Sequence, residues 1–544
     1  MILPSVLISI ALSFVFFPFV LRIIGRVIGW YIRRLSRQRR QDLLQRVAKE
    51  EEAYTSKEQQ ESPTEDEDWE KVDSQRTGVA TNGGKAEKEW KGVVGFFHPF
   101  CNAGGGGERV LWAAIRATQK RWPGAVCVVY TGDHDASKDE MLKKVQTRFN
   151  ISLYPPTVHF LYLTTRRYVL STTYPHFTLL GQSLGSLILA FDAFSLLVPD
   201  IFIDTMGYAF ALGLTKFLFP SVPTAAYVHY PTISTDMLSS LDSDSEAQGI
   251  NAGAGKGLRG TMKKNYWHLF ARLYGWVGSD IDVVMTNSSW TASHIRSLWG
   301  PRREKRGKKD DVRVVFPPCA VEEMEREIEV SETSEQKRGR YLLYIAQFRP
   351  EKNHSLIIQA FADLLNCRIS EDGVALGCGE GERPKLILVG SVRDSDDATR
   401  VYELRLLARE LQVKDDVEFV CDATWPQVLE WLRNASIGVN GMWNEHFGIG
   451  VVEYQAAGLI SVVNDSGGPK RDIVVDIDGE PTGYHATTAA EYSAAFAKAL
   501  QLGPEETLAM RLRARKSAKR FTEEVFEEKW VEETARLVAL QERH

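Results

Sequence analysis

Three patterns of apolar and polar positions follow one another along this chain. From Ile2 to Leu21, twenty residues carry no charge, enough to cross a bilayer as a helix. From 33 to 90 the chain is polar, and Glu50 to Asp73 is strongly acidic with few residues able to build a core. That composition predicts a disordered acidic linker. From Lys91 onward, short apolar runs of strand length alternate with helical segments, the mark of an α/β fold.

The first series of strands opens with Val93-Val94-Gly95-Phe96-Phe97. Gly104 to Gly107 follow, and then a helical pattern with Val110, Leu111, Ala114 and Ile115 on one face. Strand, glycine loop and helix open a doubly wound unit. Ala125–Tyr130, Val158–Leu161, Ile201–Ile203, Ala225–His229, Val283–Thr286 and Val312–Phe316 continue the series. The second series runs through Tyr341–Ile345, Lys385–Gly390, Val417–Val420, Ile437–Asn440 and Ile460–Asn464. Between them, Val321–Arg340 is charged and poor in bulky apolar groups, as a linker would be. The expected layout is an anchor over 1–32, the acidic linker over 33–90, and Rossmann-like domains over 91–325 and 326–515. A helix over 516–544 packs back across both. Strand ends of two such domains face each other across a cleft, where ligands of open α/β sheets bind.

Phe177 to Phe219 is apolar over most of its length, charged only at Asp192, Asp200, Asp204 and Lys216. Two readings stand: buried helices and a strand, or a surface dipping into a membrane. The basic run from Arg302 to Lys309 either touches anionic headgroups or is a solvated loop.

Charge sets the orientation. Arg22, Arg26, Arg33, Arg34, Arg37, Arg39 and Arg40 follow the first apolar run and no Lys or Arg precedes it. The positive-inside rule then puts everything after residue 22 in the cytosol. Sequons occur at Asn150, Asn287, Asn353, Asn434 and Asn464; glycans on Asn287 or Asn353 would block strand-end loops, which again favours the cytosol. The net charge of −5 speaks against a nucleic-acid partner. The six cysteines are scattered, without the spacing of a disulfide framework or a zinc site.

Candidate chemistry concentrates in GMWNEHFGIGVVEYQAAG, residues 441–458. Gly448 and Gly450 lead toward a helix start, a natural anion site. Glu445 and Glu453 flank it and suit hydroxyl groups rather than phosphate. An anion cradle beside hydroxyl acceptors suggests a nucleotide-sugar pocket. Arg349 and Lys352 follow the first strand of the second series; a planar fork and a point charge three residues apart can both reach one diphosphate. His229 and Tyr230 end a strand of the first series at the same cleft, as does Asn287. The glycine run does not match a dinucleotide fingerprint, but Gly105 and Gly106 would let a substrate approach the backbone closely.

FRPEKN, TNSSWT and the E-x7-E segment together resemble the retaining glycosyltransferases of the two-domain GT-B type. HPFCNAGGGGERVLW, HYPTISTDML and NEHFGIGVVEYQAAG resemble, more narrowly, the endoplasmic-reticulum family of GDP-mannose-dependent α-1,2-mannosyltransferases acting on dolichol-linked oligosaccharide. The likeness runs from about residue 91 to the C-terminus. It implies a GDP-mannose donor, a dolichol-diphosphate oligosaccharide acceptor, the endoplasmic-reticulum membrane, and company with other mannosyltransferases of the pathway. It implies no metal, and Asp133-His134-Asp135 and Asp394-Ser395-Asp396 are read as loop residues. By resemblance, Arg349 and Lys352 hold the diphosphate, Glu453 the ribose and Glu445 the mannose hydroxyls. Backbone at Phe447, Gly448 and Ile449 steadies sugar and phosphate; His229 lies near the reacting carbon, with Tyr230, Gly105 and Gly106 on the acceptor side. Rival readings are a transferase using another nucleotide sugar or lipid, an epimerase on the same scaffold, and an inactive membrane scaffold.

Overall fold

A computed structural model describes residues 2–58, 90–241, 257–308, 311–366 and 382–543, with side chains of the first helix from residue 16 onward. The first domain is built on a seven-stranded parallel sheet in the order β3-β2-β1-β4-β5-β6-β7. Its strands are β1 (Val93–Phe97), β2 (Val126–Thr131), β3 (Val158–Tyr162), β4 (Ile201–Asp204), β5 (Thr224–Val228), β6 (Val283–Thr286) and β7 (Val312–Val314). The second domain has six parallel strands in the order β10-β9-β8-β11-β12-β13. These are β8 (Tyr341–Ile345), β9 (Lys385–Gly390), β10 (Val417–Cys421), β11 (Ile437–Asn440), β12 (Ile460–Asn464) and β13 (Gly483–Ala486). β1, β2, β4, β5 and β6 are buried along their whole length, because helices cover both faces of a parallel sheet.

Strand order reverses between β1 and β4 in one sheet and between β8 and β11 in the other. At such a switch point the two connecting loops diverge to opposite faces and leave a crevice. The loops after β8 and β11 are those carrying Arg349–Lys352 and Glu445–Gly448.

The chain crosses between domains twice. It leaves the first domain past Phe316 and returns at Phe521, where the Cys319 amide donates to the Phe521 carbonyl at 2.9 Å. The returning helix Glu523–Gln541 lies on the first domain. Trp530 is fully buried and its indole donates to Thr118 at 3.1 Å, while Arg109 and Arg116 grip Glu523.

The N-terminal helix runs from Ile2 to Glu58, so the first part of the expected disordered linker is helical; 59–89 lie outside the described residues. The reason is a stripe that composition hides. Gly25, Gly29, Ile32, Ser36, Leu43 and Val47 recur at helical spacing and are all buried against the first domain. Arg40 pairs with Asp200 at 2.6 Å and Glu50 with Lys138 at 2.5 Å along the same face. Polar residues on the outer face made this segment resemble a tether.

The apolar segment 177–219 divides. β4 and one face of the helix Ala209–Leu218 are core, and the helix Thr178–Leu196 likewise buries only one side. Leu184, Ile188 and Phe191, on its other side, are exposed. Much of the basic run serves the fold rather than a headgroup. Arg303 is buried and grips Asp311, Lys308 donates to the Ile281 carbonyl at 2.9 Å, and Arg306 pairs with Asp280; Lys309 lies outside the described residues.

Candidate active site in the interdomain cleft

Lys352 ends a short turn after β8, and its carbonyl accepts from the Tyr344 hydroxyl at 2.5 Å. Its ammonium meets Glu445, in the loop after β11, at 2.5 Å. Burial alone would push the Glu445 carboxyl up, but the charge and hydrogen bond of Lys352, with smaller contributions from His446 and Asn440, together outweigh it and hold the carboxyl below its usual value. Glu445 is therefore an anion at neutral pH. Asn440 adds a weak contact at 3.5 Å. Arg349, expected beside Lys352, turns instead toward Glu351 at 3.8 Å and is 41% exposed. It is exposed to solvent and stands apart from the pair.

Gly448 has φ of 104°, in the left-handed region that glycine favours, and caps the helix Ile449–Ala456. A Cβ there would lie 3.2 Å from Pro469. The Ile449 and Gly450 amides precede the first donors that bond back to the Gly448 carbonyl, Val451 at 2.9 Å and Val452 at 3.3 Å, and so have no intrahelical acceptor. The Phe447 ring is taken up in the aromatic cluster where the chain crosses, stacked on Phe316 at 5.7 Å and edge-on to Phe521 at 5.4 Å, which leaves its backbone toward the loop. Glu453 follows one helical turn after Ile449. Burial raises its carboxyl to about 7, with the Arg109 guanidinium of the first domain opposing.

Across the cleft, His229 follows β5. Its Nε2 is buried without a partner, and Gly107 passes close enough that a Cβ there would lie 3.7 Å away. Burial lowers His229 to about 4, so the ring is neutral. The glycine loop bends at Gly104, φ 82°, and is tied by Arg148 donating to the Gly104 carbonyl at 2.7 Å. The Gly105 amide donates to Glu108 at 2.6 Å. Gly106 abuts the other domain: a Cβ there would sit 2.7 Å from Ile449 Cδ1. Tyr230 stacks on His446 of the second domain at 4.1 Å.

Lys352, Glu445, Gly448, Ile449, Glu453, His229 and the glycine loop thus meet around one cleft. Asn287 does not offer its side chain to it. It is buried, accepting from Thr291 at 2.7 Å. Asn464 is buried as well, so neither sequon is open to glycan attachment in the folded chain. Both D-x-D spellings serve local structure: Asp133 pairs with Arg166, and Asp394 caps the helix Ser395–Glu410.

Two site residues escaped the sequence reading. His98 follows β1 and its Nδ1 meets Thr205 at 2.7 Å, leaving Nε2 buried and unpaired. The likeness of His98-Pro99-Phe100 to His229-Tyr230-Pro231, each just past a strand, was the available signal. His446 lay inside the quoted motif, yet nothing in its spacing marks a ring that reaches the other domain.

Residues 91–299 match the family described as "ALG11 mannosyltransferase N-terminus", and residues 325–521 match "Glycosyl transferases group 1". The Neurospora crassa GDP-Man:Man(3)GlcNAc(2)-PP-Dol alpha-1,2-mannosyltransferase is 61% identical, over 96% of this chain and 94% of that protein. This chain belongs to that mannosyltransferase family. The human relative of the same name is 46% identical over 80% of this chain and 85% of its own length. Among solved structures, Anabaena Alr3699/HepE with UDP and glucose superposes with a TM-score of 0.53 at 13% identity, covering 82% of this chain and 99% of that one. Sucrose-phosphate synthase from Thermosynechococcus elongatus gives 0.56 at 14% identity, with the same coverage. At such identities the likeness concerns the fold, and that fold is the two-domain GT-B arrangement. The mannosyltransferase therefore places its Lys352–Glu445 pair where a GT-B cleft opens.

Proposed function

We propose that this mannosyltransferase transfers mannose from GDP-mannose to Man3GlcNAc2-diphosphodolichol and then to the Man4 product, with retention and in α-1,2 linkage. The observation that carries the reading is the Lys352–Glu445 pair at the second sheet's switch point, opposite His229 and the glycine loop. Lys352 and the first amides of the helix Ile449–Ala456 would face the donor diphosphate, and Arg349 would swing in from its solvent-exposed position. Glu445 accepts from mannose hydroxyls and Glu453 from the ribose. The acceptor hydroxyl attacks the mannose anomeric carbon on the face that the diphosphate leaves. The carbon–phosphate-oxygen bond breaks, the new glycosidic bond forms, and the acceptor proton passes to the departing phosphate. Catalysis then rests on positioning and on charge stabilisation by Lys352.

The protein sits on the cytosolic face of the endoplasmic-reticulum membrane, held by its N-terminal helix. Two exposed apolar stripes support a membrane-facing side on the first domain. One is Leu184, Ile188 and Phe191; the other is Leu258, Met262, Leu269, Leu273 and Trp276 on the helix Gly257–Gly278. Each repeats at helical spacing, and together they exceed the scattered apolar residues of an ordinary surface.

Membranes containing the protein, given labelled GDP-mannose and the Man3 lipid, should extend it by two α-1,2 mannoses. Transfer from UDP-sugars alone would overturn the donor reading. Lipid-borne photoprobes should label both stripes; labelling confined to the N-terminal helix would remove the membrane-facing side.

A further inference from the structure

In the segment Asn444-Glu445-His446, alternate side chains point to different domains. Glu445 turns back to Lys352 in the second domain. Asn444, one residue before, donates to Asp236 of the first domain at 2.7 Å. His446, one residue after, lays its ring on Tyr230, 4.1 Å between centroids and 30° between planes. Trp290 lies 5.6 Å from the same ring at 25°, and Tyr230 and Trp290 are nearly parallel at 9°. Three near-parallel rings, two from one domain and one from the other, thus form a layer across the cleft.

The segment itself is rigid. The Asn444 amide donates to Ser466 at 2.7 Å, and the Gly468 amide donates to the Glu445 carbonyl at 2.8 Å. Gly467 and Gly468 lie flat against it: a Cβ on Gly467 would fall 2.3 Å from the Glu445 carbonyl oxygen, and one on Gly468 2.6 Å from the Phe447 Cα. A pull on His446 therefore moves Glu445 rather than bending the loop. Two further bonds cross nearby, the Ser289 amide to Asp472 at 2.8 Å and Arg471 to Ser293 at 2.9 Å. Both lie outside this segment.

We infer that His446 is a positioning residue: its stack on Tyr230 and Trp290 fastens the cleft shut and, through the rigid segment it shares with Glu445, couples closure to assembly of the donor pocket. This rests on Glu445 belonging to that pocket. Full-length protein in lipid nanodiscs, carrying one spectroscopic label on each domain, tests it alongside steady-state kinetics. His446→Ala should lengthen the interdomain distance and lower kcat roughly 10- to 100-fold, the scale of a misplaced reacting group. GDP binding to the second domain should change by less than about threefold, since donor contacts there stay intact. His446→Phe, which stacks without ring nitrogens, should restore most of kcat. Tyr230→Ala approaches the same stack from the other domain, and combined with His446→Ala should cost little more than the worse single change. An unchanged distance in His446→Ala, a His446→Phe as slow as His446→Ala, or losses that multiply in the double variant would each overturn the inference. A wild-type protein that closes on GDP yet transfers no mannose would instead overturn the functional reading and leave the latch standing.

Discussion

At the switch point of the first domain, the ends of β1 and β4 carry His98 and Thr205, and the neighbouring β5 ends at His229, with a run of glycines beside them. At that of the second domain, the corresponding ends carry Lys352 and Glu445, and Glu453 lies one helix beyond. Topology is the same and the chemistry is opposite. Both histidines are held neutral by burial, His98 near 3 and His229 near 4, and the glycines offer only backbone. The second domain holds an ion pair and a carboxylate whose proton is loosely set. A charged diphosphate needs the second kind of wall, and a neutral sugar hydroxyl needs the first. On the proposed reading, donor and acceptor would be told apart by the electrostatics of the two walls before any shape is considered.

That contrast can be broken most severely at Lys352. Lys352→Ala should lower kcat by about 10²- to 10³-fold, the loss expected when one group stabilising a leaving charge is removed. Initial rates with saturating GDP-mannose measure it, and near-normal turnover would remove Lys352 from the reaction. The contact between the two walls comes next. Gly106→Val introduces a Cβ against Ile449 Cδ1 and should hold the cleft ajar, reducing kcat about tenfold. Adding Ile449→Ala should recover part of the loss; no recovery would mean that the glycine is needed for another reason.

The carboxylate side should also answer to pH. Burial, opposed by Arg109, raises Glu453 to about 7, so it carries a proton below that pH and is an anion above it. A hydroxyl acceptor works better as the anion. GDP affinity should therefore be weaker at pH 6 than at pH 8 by roughly three- to tenfold, as a group titrating near 7 requires. Isothermal titration across that range checks it, and Glu453→Gln should flatten the curve. The same shift has a stability sign. The folded protein holds this proton more tightly than the unfolded chain does, so the group costs stability as pH rises from about 4.5 through 7. The smallest effect belongs to the neutral wall. Thr205→Val removes the His98 hydrogen bond and should cost about 1 kcal/mol of stability, visible in denaturant unfolding, while kcat stays within about threefold. A large loss of kcat would mean that His98 orientation matters to the reaction.

Much of this architecture could be read along the chain. The runs 93–97, 283–286, 341–345, 385–390, 437–440 and 460–464 became strands with those bounds, because buried parallel strands are continuous apolar runs. β13 was not legible: Gly483-Tyr484-His485-Ala486 is short, polar at its tip and sits at the sheet edge. The helix over 33–58 was hidden by its charged outer face. Lys352 and Glu445 were legible as chemistry but not as partners, since 93 residues separate them.

What the sequence determined by itself is therefore local: apolar runs of strand length, the punctuation of glycine loops, and charged residues at strand ends. These follow from backbone and burial rules that act over a few residues. Only the tertiary structure decided which ends meet. It paired Lys352 with Glu445 and turned Arg349 aside. It set Gly106 against Ile449 and laid His446 on Tyr230 and Trp290. Such pairings depend on how two sheets are placed against each other, through the crossings at Phe316 and Phe521, and no short-range pattern encodes that placement.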